Sequence, residues 1–196
     1  FHQEVSKMLV DVPIEQWKNY LRFHAIDAAA SDLSDEFVAE NFEFYSKTLH
    51  GQKEMKPRWK QVLGAINSEA GEALGQMYVD VAFPPEAKAQ MEVLVGNLGT
   101  ALKTRIEQLS WMSDDTRQKA LAKWETFTPK VGYPDKWRDW SGLSTSRDSY
   151  LGNVLAANEF NYKWNLGKIG KPVDKTEWGM TPQTVNAYYN PGVNEI

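Results

Sequence analysis

Apolar residues recur at steps of three and four along most of the first 170 positions, which predicts a chain built from amphipathic helices. The strongest run extends from Pro57 to about Val81, where Trp59, Val62, Leu63, Ile66, Ala70, Ala73, Leu74, Met77, Tyr78 and Val81 share one face. Gly64, Gly71 and Gly75 interrupt it, and each costs ~1 kcal/mol relative to Ala in a helix interior. Their retention predicts close backbone approach by a neighbouring helix. Upstream, Pro13 opens a helix that carries Ile14, Trp17, Leu21, His24 or Ala25 and Ala28 on one side. Ser34-Asp35-Glu36 offers a hydroxyl cap and first-turn acids to a second helix, running to His50-Gly51. Pro84-Pro85 divides the Pro57 helix from another that holds its period to Trp111. Ser113 caps a further helix to about Phe127. Gly132 and Pro134 then break the pattern, residues 135–147 read as irregular, and a last helix spans roughly Asp148 to Leu166 before Gly167, Gly170 and Pro172 stop it.

Near Lys171 to Lys175 the helical period gives way to alternation. Val185 to Tyr189 reads as a strand, Asn190-Pro191-Gly192 as a turn and Val193 to Ile196 as a return strand. In such a strand Asn186 and Tyr188 face one side, and Ala187 and Tyr189 the other. A two-stranded hairpin is marginal alone, so it is expected to join a sheet supplied by other residues, with this chain a piece of something larger. Phe1 in place of Met carries the same expectation for the N-terminus. A strand at a sheet edge can pair with an extended peptide, and an Asn there adds an amide that both donates and accepts. The plainer reading is a core strand in which Asn186 starts a turn.

Composition narrows the function classes. A chain of 196 residues can bury a substantial core, and 42% apolar residues, 24% charged residues and a mean hydropathy of −0.54 are ordinary for a globular protein. The net charge of −4, without a Lys/Arg stripe interleaved with aromatics, argues against nucleic acid as a partner. No apolar run is long enough to span a bilayer, and FHQEVSKML lacks the pattern of a signal peptide. The absence of cysteine excludes disulfides, thiolate metal sites and a cysteine nucleophile from this chain. Eight Trp and eight Tyr read as packing units between helices. The three histidines, His2, His24 and His50, lack the paired spacing that places two imidazoles on one helical face around zinc. There is no G-x-S-x-G elbow and no strand–glycine loop–helix phosphate cradle, and the SDDT at 113–116 reads as a helix cap.

Five stretches stand in one order: PRW (57–59), ALGQMYV (73–79), LSWMSDDTRQKALAKW (109–124), VGYPD (131–135) and WGMTPQTVNAYYNPGVNEI (178–196). In that order and spacing the chain resembles the neprilysin-like zinc endopeptidases, a family that includes endothelin-converting enzymes and bacterial oligopeptidases. The resemblance implies a two-lobed metallopeptidase in which a mainly α, multi-helix lobe covers a thermolysin-like catalytic lobe and limits entry to peptides. Residues 1–174 would be the second half of the helical, chamber-forming domain, and 175–196 a short β-hairpin opening the catalytic domain. By the same resemblance Asn186 grips the substrate backbone, Ala187 adds a main-chain contact, and Tyr188 and Tyr189 match aromatic positions beside the cleft, with Tyr188 grouped with the substrate-binding residues. Zinc, which would polarise the scissile carbonyl while a glutamate activates water, is implied for the parent protein. Its H-E-x-x-H helix would follow Ile196, leaving this chain alone without zinc or activity. The implied partners are peptide substrates and the catalytic half. Animal relatives carry a cysteine where Val62 stands here, so the chain resembles a bacterial member, with an extracytoplasmic setting implied by family habit. The competing reading is a non-enzymatic helical module that binds peptides or serves as a scaffold.

Overall fold

The computed structural model describes residues 1–196. It is mainly helical, with seven α-helices: α1 (His2–Asp11), α2 (Ile14–Ala29), α3 (Asp35–Asn41), α4 (Arg58–Ala82), α5 (Pro85–Gln108), α6 (Asp114–Glu125) and α7 (Tyr150–Leu166). The chain divides into two compact units, one of Phe1–Leu63 with Leu143–Glu159 and one of Gly64–Gly142 with Phe160–Ile196.

In the first unit, α1 ends because Val12 precedes a proline and is held extended (φ −87°, ψ 125°), after which Pro13 leads into α2. Helix α1 itself had no counterpart in the periodicity. A 3-10 turn, Ala30–Asp32, links α2 to α3. The Ser34 hydroxyl does not cap α3 as expected. It donates instead to the Glu36 carboxylate at 2.7 Å. The helix expected to reach His50 continues beyond Asn41 as a π-helix, Phe42–Thr48. Tyr45 on that segment donates to the Asp27 carboxylate (3.1 and 3.0 Å), fixing it against α2. At the start of α7 the Ser149 hydroxyl accepts from Gly152 N (2.9 Å), which sets the first turn two residues later than Asp148.

In the second unit, α4 kinks at Ala70 (φ −135°, ψ 36°). The kink disturbs the helical hydrogen-bond ladder there, and Glu69 O accepts from the Asn161 amide at 2.8 Å. Helices α5 and α6 are joined by the Trp124 indole, which donates to Gly99 O (3.0 Å). The Ser113 hydroxyl caps α6 as the sequence predicts, accepting from Thr116 N. The segment after α6 is irregular but tightly held. Lys88 bonds Asp135 (2.6 Å) and Tyr133 O (2.9 Å), and Gly132, at φ +74°, lies so near Phe83 that a Cβ would come within 2.5 Å of its ring. The Arg138 guanidinium sits 4.3, 4.8 and 4.5 Å from the ring centroids of Trp140, Phe160 and Trp164.

Two expectations need correction. The chain buries almost no apolar core of its own: Ala30 and Ala157 are the buried hydrophobic residues. The α5 face that should be covered leaves Leu94, Leu98 and Leu102 at 49, 62 and 53% exposure. The stripes form as predicted, but this chain supplies too few facing surfaces to cover them. Nor is there a C-terminal β-hairpin. Residues 185–189 form no strand, and the tail has only two isolated bridges, Asn190 with Glu195 and Thr128 with Glu195. The second arm turns aside to pair in parallel with 128–130, through Thr128 N to Asn194 O (2.9 Å) and Lys130 N to Ile196 O (2.7 Å). Asn194, with φ +54°, makes that turn, and its amide donates to Lys123 O (2.7 Å) and Thr126 (2.9 Å) beside the end of α6.

Candidate functional site

Pro172, Gly179, Pro182, Pro191 and Gly192 keep the last 25 or so residues from forming a ladder of their own. Side-chain contacts fix their path instead. The first anchor is the turn at 181–183 against α4. A Cβ on Gly71 would lie 2.8 Å from Thr181 Cγ2, and one on Gly75 would lie 2.7 Å from Pro182 Cδ. Gln183 then donates to Asn67 Oδ1 (2.6 Å) and Gly71 O (2.9 Å). Two of the three glycines thus admit a close neighbour as predicted, but that neighbour is a loop rather than a helix, and Gly64 faces open space.

The second anchor is a buried ionic circuit. Lys130 and Glu195, with side chains only 4 and 6% exposed, pair at 2.5 Å through Oε2. The other Glu195 oxygen accepts from the Tyr188 hydroxyl at 2.8 Å, and that hydroxyl accepts in turn from Gly179 N at 3.3 Å. Lys130 closes the circuit by donating to Glu177 O. Burial first, and the bond to Glu195 second, push the Tyr188 phenol above its ordinary pKa. A carboxylate this buried requires its cation, because an unpaired charge there would be costly.

Asn186, Ala187 and Tyr188 follow these anchors. All three line a mostly apolar cavity of about 530 Å³, together with Met91, Val95, Leu98 and Leu102 of α5. The alternation expected of a strand fails here, since three consecutive residues share one wall. Tyr189 points elsewhere, bonding Asn194 Oδ1 (3.1 Å). Asn186 and Ala187 are exposed, and the Asn186 side-chain oxygen accepts from Ala187 N at 2.8 Å. The Asn186 amide nitrogen and the Ala187 carbonyl make no hydrogen bond within the chain, and together they offer one donor and one acceptor, a pair that an extended peptide complements. Sequence reasoning missed Lys130, Glu195 and Gln183. The available signal was a lone acid between Asn194 and Ile196 in an otherwise apolar and turn-forming tail.

The histidines are spread among unrelated surroundings. His24 packs edge-on against Tyr20 (4.3 Å between ring centroids), and His50 Nδ1 lies 2.5 Å from Tyr45 O. No three His, Asp or Glu side chains are grouped so as to hold a metal ion, so the residues present do not fit a zinc site. No helix is long and apolar enough to cross a membrane.

The model of peptidase family M13 matches residues 1–134. Among curated proteins, the chain is 35% identical over 188 residues to an endothelin-converting enzyme homolog of Locusta migratoria, covering 91% of this chain and 25% of that protein. It is 33% identical over 185 residues to neprilysin-3 of Drosophila melanogaster, covering 91% and 23% respectively. Among solved structures, the zinc metalloprotease ZMP1 of Mycobacterium tuberculosis, crystallised with an inhibitor, superposes with a TM-score of 0.87 at 45% identity, over 98% of this chain and 29% of that one. PepO from Lactobacillus rhamnosis gives 0.88 at 27% identity, over 98% and 31%. The chain thus spans about a quarter of the curated relatives' length.

Proposed function

The chain belongs to peptidase family M13, and on that premise we propose that it is the helical, substrate-guiding part of a zinc-dependent endopeptidase that hydrolyses oligopeptides. Residues 1–174 contribute chamber wall, and 175–196 carry the peptide-aligning segment into a catalytic lobe formed by further residues of the same protein. The zinc belongs to that lobe, since the side chains of this chain do not form its site. Uncovered side chains outside the cavity lining, such as Val93 and Leu94, support a further protein surface against α5. The bacterial neighbours support a bacterial parent, and we place it outside the cytoplasm.

The contribution of this chain is orientation. The Asn186 amide donates to a substrate carbonyl and the Ala187 carbonyl accepts a substrate N–H, holding the peptide extended through bonds kept alike in the bound complex and the transition state. The observation that carries this reading is the position of Asn186 and Ala187, exposed side by side on the wall of the 530 Å³ cavity with one donor and one acceptor unengaged. Replacing Asn186 with Ala in the full-length protein is expected to lower kcat/KM for an oligopeptide by about ten-fold, the scale of one substrate hydrogen bond. Zinc content should not change. Wild-type kinetics in that variant would refute the assignment.

A further inference from the structure

The segment that carries Asn186 has little backbone support. Between Val185 and Tyr189 the one backbone–backbone hydrogen bond is Asn186 N to Thr184 O (3.1 Å), and Val185 is fully exposed. An extended stretch so poorly tied would ordinarily sample many conformations. Its nearest firm attachment is the side chain two residues on. Tyr188 packs its ring 3.3 Å from the position a Gly179 Cβ would occupy, and its hydroxyl reaches the buried Glu195–Lys130 pair. Lys130 is tied to the 177–179 loop through Glu177 O, and the Tyr188 hydroxyl is tied to it by accepting from Gly179 N.

We propose that Tyr188, Glu195 and Lys130 are positioning residues for peptide binding, fixing the direction in which Asn186 and Ala187 present their donor and acceptor. The proposal rests on the reading that Asn186 and Ala187 hold substrate. None of the three needs to touch the peptide. The Tyr188 hydroxyl already spends its proton on Glu195, and Glu195 is itself buried. Lys130 pairs with the Glu195 carboxylate, and an acceptor in a charge-assisted pair is stronger than a neutral one. The strength of that acceptor fixes the Tyr188 ring, and through it the backbone at 186–188.

The test uses steady-state kinetics of the full-length protein with an internally quenched oligopeptide. Tyr188→Phe removes the hydroxyl and leaves the ring packed on Gly179, while Glu195→Gln keeps the shape and removes the charge. Each is expected to raise KM about three- to ten-fold with kcat within about two-fold, because a hydrogen bond made alike to bound peptide and to the transition state is what is weakened. Combining Tyr188→Phe with Asn186→Ala should raise KM little beyond Asn186→Ala alone, since the hydroxyl acts through that residue. A purely structural role predicts a lower melting temperature at wild-type KM. If Tyr188→Phe keeps wild-type KM while Asn186→Ala raises it, the positioning proposal falls and the substrate reading stands. If Asn186→Ala also keeps wild-type KM, the reading falls and takes the proposal with it. Should Glu195→Gln lose its cooperative melt, Tyr188→Phe alone decides.

Discussion

A partly buried phenol whose hydroxyl donates to a carboxylate resists ionisation, first through burial and then through that bond, and Tyr188 is such a phenol. Its ordinary pKa of about 10 applies to the unfolded chain, whereas the folded value is higher. Below pH ~10 both states are protonated and the contribution to stability is present in full. It is lost as pH rises through the folded value, because the unfolded chain gives up its proton first. Stability should therefore decline above pH ~10, and less steeply in Tyr188→Phe. Tyr45, through its bond to Asp27, and Tyr150, chiefly through burial, are shifted in the same direction. Phenolate absorbance should show a late-titrating phase that is smaller in Tyr188→Phe. If that variant keeps the full late phase, the assignment of the shift to Tyr188 is wrong. At this scale the sequence is half legible. Asn186 advertises itself as an amide in an alternating tail, but nothing about Glu195 or Lys130 says that they meet 65 positions apart.

Among the elements, α4 shows most clearly what periodicity can and cannot tell. Its bounds, the proline break after it and the Ser113 cap on α6 follow from local rules that act within a turn or two. The kink at Ala70 and the docking of 181–183 depend on residues far away, so no window of sequence contains them. The same limit explains the absent hairpin. The return arm was free to choose a partner and took 128–130, held there by Asn194. The glycines permit a direct comparison. Gly64 has no neighbour within 4 Å of an added Cβ, so Gly64→Ala should stabilise by ~0.5–1 kcal/mol through helix propensity. Gly75→Ala would force Pro182 and Gln183 away from contacts of 2.7 and 2.8 Å and should cost ~1–3 kcal/mol. Thermal melts showing the two variants shifted in the same direction would contradict the different surroundings described for them.

For the whole molecule the decisive quantity is surface. The chain exposes 14900 Å², against about 9,400 Å² expected for a folded monomer of its mass. Large apolar side chains are among those exposed, from Leu21 and Phe23 on α2 to Val93 and Leu94 on α5. The isolated 196-residue chain should therefore bind the dye ANS while retaining helical circular dichroism, and the full-length protein should bind far less. Equal dye binding by both would mean that these faces are not covered. The glycine face of α4 has a further consequence for biosynthesis. The carbonyl of Gly71 waits for an amide made 112 residues later, and at ~5–20 residues per second a ribosome needs roughly 6–22 s to deliver it. Throughout that interval the nascent helix has an open notch where Pro182 will sit, so a chaperone or a wrong segment has its widest opportunity there.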